Sequence, residues 1–397
     1  MSADPSPSTR RARRPIRVVY LSHAAQMAGA EIGIVRLLAA TDAIDATVIL
    51  AQDGPLVGAF RDVGATVEVL PMPERSRALS KDRVGAAGRG DLVVGALDTV
   101  RYVAWLRRRL RALRPDVVHT ISMKAGVYGT AAARLAGVPV IWNVYNQIDR
   151  GYLPGPAVAF IRHAAAWTPD MVLAPSWATL DTIARRRRGV RSAIRIQPVV
   201  PPRAEPRPQA PAVTRIGMVG RLTAWKGQDV FLRAFARAFP TGDVRARMIG
   251  AALFGEDEYA ASVRALGEEL GIADRVDWVG HTSDVPGELE RLDVLVHASV
   301  SADPLVTVVP EAMAAGVPTI STNEGGHSEH VTPGVDGLTY PPGDVEALAE
   351  RLRLLADDHA LRVRLATNAL TTVERFSPPV AAAGFVDLYD RFLADVR

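Results

Sequence analysis

The chain has no cysteine, and aromatic residues make up only 6% of its 397 residues. Without thiols, disulfide bonds and thiolate-bound metal sites are excluded, and a reducing, cytoplasmic location is expected. No apolar run reaches the ~18 residues that a membrane-spanning helix needs. The N-terminal segment "MSADPSPSTRRARRP" has no apolar core, so a secretory signal is not expected. Its composition is typical of a disordered basic arm over residues 1–14.

Two familiar nucleotide-binding loops are also missing. The small-residue loop "QMAGAEIG" (26–33) follows the first predicted strand, but it contains neither GxGxxG nor the GK[ST] ending of a Walker loop. A dinucleotide site is therefore disfavoured, although small residues let the backbone approach a ligand. The sequence shows no cluster of metal ligands, so we expect neither a metal nor a cofactor.

What is present is an alternation of short β-branched runs with longer helical patterns. Continuous apolar strands between helices favour parallel sheets covered on both faces. The chain is also too long for one ordinary core, so two domains are expected. The predicted strands are 16–22, 46–50, 66–70, 116–120, 138–144, 171–174, 215–220, 245–250, 275–280, 293–299 and 317–322.

The alternation stops at "PVVPPRAEPRPQAPAV" (198–213), which is too rich in proline for a helix or a central strand. This segment is interpreted as a linker between two Rossmann-like, doubly wound α/β domains over residues 15–197 and 214–375. Residues 376–397 are predicted to form a helix that crosses back to the first domain. Ligands of such sheets bind beyond the carboxyl ends of the strands.

Two acids surround one loop-to-helix junction in "SADPLVTVVPEAMAAGVP" (301–318). Thr307 is predicted to cap a helix that Gly316 ends. The N–H groups of residues 306–309 then form an anion site, with Asp303 and Glu311 placed to accept hydrogen bonds from sugar hydroxyls on either side. The alternative is that both acids have structural roles: Glu311 interacts favourably with the dipole at the helix N-terminus, and Asp303 lies in a turn.

A second stretch, "GRLTAWKGQ" (220–228), carries two cations where a strand is predicted to end at Gly220. Arg221 and Lys226 lie on the following loop, beside the start of a helix. Cations in this position suit a diphosphate. The alternative is a pair of exposed surface cations.

Together, "GAE" near the start, "GRLTAWKG", "ADPLVTVVPEAMAAGVP" and "GGHSE" resemble the retaining glycosyltransferases of family 4, which have the GT-B fold of two domains facing a central cleft. The resemblance covers nearly the whole chain. It implies that Gly220, Arg221 and Lys226 bind the donor diphosphate, with the N–H groups of Val306 and Thr307. It also implies that Glu311 binds the ribose, that Asp303 contacts the donor sugar and that Gly29 lies near the diphosphate.

This chain departs from the family pattern at two positions. Asp303 replaces a glutamate and is one methylene shorter. Tyr145, in "IWNVYNQ", stands where the family usually has a histidine close to the transferred sugar. Tyrosine exchanges hydrogen bonds but carries no charge at neutral pH. His119 is a further active-site candidate, and a structural hydrogen bond at a strand end is its alternative.

The implied reaction transfers a sugar from a nucleotide diphosphate sugar to an acceptor hydroxyl with retention of configuration. The acceptor is a glycan, a lipid-linked sugar or a small molecule. Two other functions stay open: a nucleotide-sugar epimerase or hydrolase, and a non-catalytic nucleotide-sugar binding protein. The sequence leaves the donor sugar and its base open.

Basic residues raise the question of further partners, since the net charge is +4 and the pI about 9.5. The arginine runs at 107–114 and 185–188 lack interleaved aromatics, so a nucleic-acid partner is not expected. The segment 99–115 has an apolar stripe flanked by arginines. It is interpreted either as a helix at the anionic inner face of the membrane or, in preference, as a helix that covers the sheet.

Overall fold

The computed structural model describes residues 14–27, 29–72, 89–145, 147–148, 155–183, 189–195, 198–253, 255–301, 303 and 307–396. The proposed basic arm and the run 185–188 fall largely or wholly outside them. Within the described residues the chain forms two parallel sheets, one of seven strands and one of six. The predicted α/β, doubly wound class is therefore confirmed.

The first sheet has the strand order β3-β2-β1-β4-β5-β6-β7. Its strands are β1 (Ile16–Ser22), β2 (Ile44–Leu50), β3 (Thr66–Val69), β4 (Val117–Thr120), β5 (Val140–Asn143), β6 (Met171–Ala174) and β7 (Arg191–Ile194). Its helices are α1 (Gly29–Ala39), α2 (Leu56–Asp62), α3 (Arg89–Leu113), α4 (Met123–Ala136), α5 (Gly155–Trp167) and α6 (Trp177–Asp181).

The second sheet has the order β10-β9-β8-β11-β12-β13. Its strands are β8 (Arg215–Val219), β9 (Arg245–Ile249), β10 (Val276–Gly280), β11 (Val294–His297), β12 (Thr319–Thr322) and β13 (Leu338–Tyr340). Its helices are α7 (Gln228–Ala238), α8 (Asp257–Glu269), α9 (Val285–Glu290), α10 (Val308–Ala314), α11 (Val345–Asp357) and α12 (His359–Val373).

The last helix, α13 (Pro378–Val396), packs on the first sheet, although it follows the second in the chain. Its buried face includes Phe385, Tyr389 and Phe392, which join the core formed by β1, β2, α1 and α2. The opposite face of the first sheet is covered by α3, α4 and α5. Both faces are therefore buried, as continuous apolar strands require.

All eleven predicted strands are present, and the two that the sequence missed, β7 and β13, lie at sheet edges. The segment 99–115 lies mostly within α3, whose Leu106 and Leu110 are fully buried against the first sheet. The sheet-covering interpretation is correct, and the apolar stripe of α3 is not available to a bilayer.

In both sheets the chain order reverses next to the first strand, between β1 and β4 and between β8 and β11. Ligand sites of open α/β sheets lie at the carboxyl ends of the strands at this reversal. The predicted site residues follow these strands.

Candidate active site

The loop after β8 makes a tight turn that positions Lys226, and this turn requires a glycine. A short 3-10 turn, Ala224–Lys226, leads to Gly227, whose φ is +73°. A Cβ on Gly227 would lie 2.1 Å from the Ala298 carbonyl oxygen, so only glycine fits. This close approach ties the loop to the end of β11, where Lys226 meets Asp303.

Three groups converge on the Oδ2 atom of Asp303, a residue that is 2% exposed. The Lys226 ammonium forms an ion pair with it, His297 Nε2 lies 3.4 Å away, and the Ser299 hydroxyl donates over 3.3 Å. Burial raises the pKa of Asp303. The charge of Lys226 and the hydrogen bond from His297 lower this pKa by more than burial raises it, so the pKa lies well below its usual value. The carboxylate is therefore charged at neutral pH.

Arg221 also has an acidic partner, because its Nε lies 3.3 Å from Glu256 Oε2. The Thr223 hydroxyl donates to the other oxygen of Glu256 over 2.6 Å. The Gln228 side-chain amide donates a hydrogen bond to the Arg221 carbonyl over 2.8 Å. The two predicted cations thus lie on one loop, each balanced by a carboxylate, and an anionic ligand would share or replace these partners.

Glu311 lies in the first turn of α10 and contacts the other domain. Its Oε1 is 2.9 Å from Arg36 Nη1 of α1. Thr307 takes the predicted cap position, but its side chain makes no capping hydrogen bond. A Cβ on Gly29 would lie 4.0 Å from Thr307 Cγ2, so the starts of α1 and α10 meet across the cleft. Val306 lies outside the described residues.

His119 is fully buried and belongs to a chain of hydrogen bonds beneath the cleft. Its Nδ1 lies 2.6 Å from the Tyr389 hydroxyl of α13, which lies 2.9 Å from the Tyr20 hydroxyl. Its Nε2 lies 3.1 Å from Asn143 Nδ2, which also donates to the Tyr145 hydroxyl over 2.7 Å. His119 therefore makes no direct contact with a molecule in the cleft in this conformation, whereas Tyr145 ends the chain.

The direction of these hydrogen bonds follows from the Asn143 amide. Its two N–H groups serve His119 Nε2 and Tyr145, so Nε2 is an acceptor and Nδ1–H donates to Tyr389. Burial lowers the pKa of His119 to about 3, in agreement with a neutral ring. Burial also raises the pKa of Tyr145 well above its usual value. Both groups are therefore uncharged at neutral pH.

Glu31, in the first turn of α1, is a buried acid beside this chain and is 6% exposed. The Ser22 hydroxyl donates to it over 3.2 Å. Burial raises the pKa of Glu31 to about 7. It lies at the cleft edge of the first sheet, where His23 Nδ1 is 2.7 Å from the Ser122 hydroxyl.

Sequence reasoning missed Arg36, Glu256, His297 and Ser299 as members of the site. His297 and Ser299 follow the buried run of β11 and stand at its carboxyl end, so the strand-end rule could have indicated them. Arg36 and Glu256 lie on other elements, and only the tertiary structure brings them to Glu311 and Arg221.

Two kinds of feature are absent from the described parts of the chain. None of their His, Asp and Glu residues form a group of three or more that could hold a metal ion. None of their helices combines the length and apolar character needed to cross a membrane.

Comparison with known proteins identifies relatives of both halves. Residues 207–372 match the family described as glycosyl transferases group 1, and residues 28–199 match the glycosyl transferase 4-like domain. The lipopolysaccharide core biosynthesis glycosyltransferase LpsD of Rhizobium meliloti is 29% identical over 85% of this chain and 94% of its own length. The D-inositol 3-phosphate glycosyltransferase of a Nocardioides species is 27% identical over 71% of this chain and 68% of its own.

Among solved structures, HepE of Anabaena in complex with UDP and glucose aligns with a TM-score of 0.76 and 21% identity. The alignment covers 96% of this chain and 99% of HepE. At this identity the likeness establishes the shared two-domain fold.

Proposed function

Because the chain belongs to the glycosyl transferases group 1, which transfer sugars from nucleotide-sugar donors, we propose that it does so with retention of configuration and without a metal ion. One observation carries the proposal: Arg221, Lys226 and Asp303 are held together at the carboxyl edge of the second sheet. Glu311 lies on α10, whose start faces Gly29 of the first domain.

In this proposal the donor spans the cleft edge of the second domain. Arg221 and Lys226 neutralise the diphosphate, aided by the N–H groups of Val306 and Thr307. Glu311 accepts hydrogen bonds from the ribose hydroxyls, and Asp303 accepts from the donor sugar. The backbones at Gly220 and Gly29 leave room for the phosphates from the two sides.

The transfer step follows from where charge develops. The bond from the anomeric carbon to the diphosphate oxygen breaks, and the acceptor oxygen bonds to that carbon on the same face. The acceptor proton passes to the departing phosphate oxygen. Asp303 is a poor nucleophile because Lys226, His297 and Ser299 already hold its Oδ2. The protein then acts by positioning and by stabilising the leaving diphosphate with cations.

The acceptor is proposed to be a hydroxyl of a glycan, a lipid-linked sugar or a small molecule. LpsD and the Nocardioides enzyme, by their names, act in lipopolysaccharide core biosynthesis and on D-inositol 3-phosphate. Cell-envelope or glycan biosynthesis in the cytoplasm, at the inner face of the membrane, is the setting that we propose. HepE was crystallised with UDP, so UDP-sugars are the first donors to test.

A thermal-shift panel of UDP, GDP and their sugars tests donor binding, because a ligand of the folded state raises Tm. The stabilising donor is then incubated with candidate acceptors after exhaustive chelation, and the anomer formed is read by NMR. We expect turnover with a retained anomer. Arg221→Ala should lower kcat as well as affinity, since charge on the leaving group grows in the transition state.

Four outcomes would contradict this proposal. An inverted anomer excludes the same-face step, and activity that is lost on chelation and restored by magnesium or manganese excludes metal independence. Donor turnover without any acceptor would indicate an epimerase or hydrolase. Donor binding with no turnover across the acceptor panel would indicate a binding protein.

A further inference from the structure

An apolar groove runs between α4 and α5, on the outer face of the first sheet. Its volume is about 1000 Å³. Trp142 forms its floor and packs so closely under α4 that a Cβ on Gly126 would lie 1.9 Å from the indole. The walls include Leu135 of α4 and Phe160 and Trp167 of α5. We call this feature the α4–α5 groove.

The groove wall is more exposed than apolar side chains usually are. Leu135, Phe160 and Trp167 are 56%, 59% and 52% exposed. Phe160 and Trp167 are seven residues apart, so they lie on the same side of α5 two turns apart. A contiguous exposed apolar surface of this kind is typical of an interaction site.

Cations of the neighbouring helix α3 stand at the end of the groove. Arg107 Nε and Arg111 Nη2 donate to the Leu135 carbonyl over 3.0 and 3.2 Å. Arg108 lies between them in the sequence of α3 and is exposed. We call Arg107, Arg108 and Arg111 the arginine rim.

The positive charge of the rim is not cancelled nearby. None of the three rim arginines forms an ion pair with a residue that the structure describes. Two nearby acids whose side chains the structure describes are already paired: Asp98 of α3 lies 3.6 Å from Arg101, and Asp170 lies 2.7 Å from Arg134 of the groove wall. The surface therefore joins apolar side chains to unbalanced cations.

We propose that the α4–α5 groove and the arginine rim form a docking surface for an anionic lipid bilayer. Aromatic side chains enter the interface between headgroups and acyl chains, and arginines contact anionic headgroups. The buried stripe of α3 takes no part, so the contact differs from the membrane-lying helix that the sequence left as the less favoured alternative.

The charge of the rim argues against a second copy of this chain as the occupant. A two-fold interface uses the same patch twice, so two such surfaces packed together would bring the arginine rims of both copies into one interface. Their repulsion opposes self-association, whereas an anionic bilayer supplies the missing negative charge.

The test measures co-sedimentation of the full chain with phosphatidylcholine vesicles that contain phosphatidylserine at zero to about 40 mol%. Binding should rise with phosphatidylserine and fall with salt, as exposed charges are screened within ~10 Å at 0.1 M ionic strength. Arg107→Gln with Arg111→Gln should lower the partition coefficient about 25-fold, about fivefold for each cation removed. Phe160→Ser with Trp167→Ser should lower it at least about tenfold at every salt concentration.

Matched controls separate the surface from general effects. Trp177→Ser removes a tryptophan that is 59% exposed on α6, outside the groove. Arg233→Gln with Arg364→Gln removes two exposed arginines from the second domain. Both controls should bind vesicles as the parent does, and donor-induced Tm shifts should be unchanged in all four variants.

No sedimentation at low salt overturns the proposal, and so does an equal loss of binding in the controls. Self-association in analytical ultracentrifugation that the groove variants abolish would assign the groove to a second copy instead. Donor binding is measured separately from vesicle binding. A protein that does not bind vesicles can therefore still be a transferase, and a protein that binds no donor can still bind vesicles.

Discussion

Asp303 keeps its charge in a buried position because several groups stabilise one of its oxygens. Lys226 supplies the opposite charge, and His297 and Ser299 add polar contacts to the same atom. A buried carboxylate that loses its cation is costly, because neither water nor another charge replaces the lost interaction. The pair thus links the stability of the second domain to the proposed donor site.

The Lys226–Asp303 pair predicts a strongly non-additive mutant cycle. Lys226→Met should lower the free energy of unfolding by about 3 kcal/mol, since it leaves Asp303 charged and buried. Combining it with Asp303→Asn should recover much of this loss, because no buried charge then remains. Urea unfolding of the parent, both single variants and the double variant measures the coupling. Additive losses would show that the two side chains do not stabilise each other.

The raised pKa of Glu31 predicts that its contribution to the stability of the fold decreases as the pH rises, whereas for most acids this contribution increases. Burial raises its pKa from 4.5 to about 7, so folding favours the protonated form. Its contribution to stability is complete below pH 4.5 and is lost as the pH rises through about 7, by up to about 3 kcal/mol. Glu31→Gln should therefore match the parent near pH 4, below the unfolded-state pKa of 4.5, and exceed it in stability at pH 8.5.

The measurement is urea unfolding of both proteins at the two pH values, so that other titrating groups cancel in the difference. Glu258→Gln, at an exposed position of α8, is the control and should change nothing at either pH. A parent that is equally or more stable than Glu31→Gln at pH 8.5 would mean that Glu31 ionises in the fold at no cost.

At the scale of elements, α13 is held to the first sheet by more than apolar packing. Its Tyr389 hydroxyl lies within hydrogen-bonding distance of both His119 on β4 and Tyr20 on β1. Through His119 and Asn143 the same chain reaches Tyr145 at the cleft. The last helix of the protein is thus connected to the floor of the proposed site.

Tyr389→Phe should loosen α13 and weaken activity together. It leaves His119 Nδ1 and the Tyr20 hydroxyl without a partner, which costs about 1–3 kcal/mol. Hydrogen exchange should report faster exchange of the α13 amides, and kcat should fall if Tyr145 loses its orientation. Phe392→Leu, a buried change on the same helix without a hydroxyl, should loosen α13 but leave the orientation of Tyr145 intact. If kcat falls equally in the two variants, Tyr389 affects activity only through the packing of α13 and not through its hydroxyl.

At the scale of the whole molecule, a few polar contacts join the two sheets across the cleft. Arg36 of α1 pairs with Glu311 of α10. Glu329, from the "GGHSE" stretch, accepts hydrogen bonds from the backbone N–H groups of Trp177 and Ala178 at the start of α6, each over 3.0 Å. The Arg36 contact therefore uses Glu311, an acid that we propose for donor binding.

Arg36→Ala should tighten nucleotide binding. If Glu311 accepts hydrogen bonds from the ribose, Arg36 competes for the same carboxylate. The Arg36–Glu311 pair is partly buried, and an ion pair that stays in contact with solvent is worth about 0.2–1 kcal/mol. Calorimetry with UDP and GDP should show an affinity gain of up to about fivefold. Arg61→Ala, at an exposed position of α2, is the control and should leave affinity unchanged. A loss of affinity in Arg36→Ala would show that Arg36 itself binds the nucleotide.

The sequence by itself determined the two parallel sheets and the loops that bear the site. Continuous apolar strands need helices on both faces, and a chain of this length needs two cores, so local pattern and length were sufficient. The edge strand β7 escaped because it is partly exposed and has little apolar signal. The edge strand β13 escaped because its three residues are too few to show a pattern. Asp303, Arg221 and Lys226 were predicted because they follow strands at the edge where ligands bind.

Only the tertiary structure decided which side chains meet. Lys226 and Asp303 are 77 residues apart, Arg36 and Glu311 are 275 apart, and His119 and Tyr389 are 270 apart. No local rule relates positions so distant, because their contact depends on sheet order, on the domain arrangement and on where α13 docks. Burial is decided in the same way: the histidine at a strand end became a neutral structural link, and the apolar stripe of a basic helix became core.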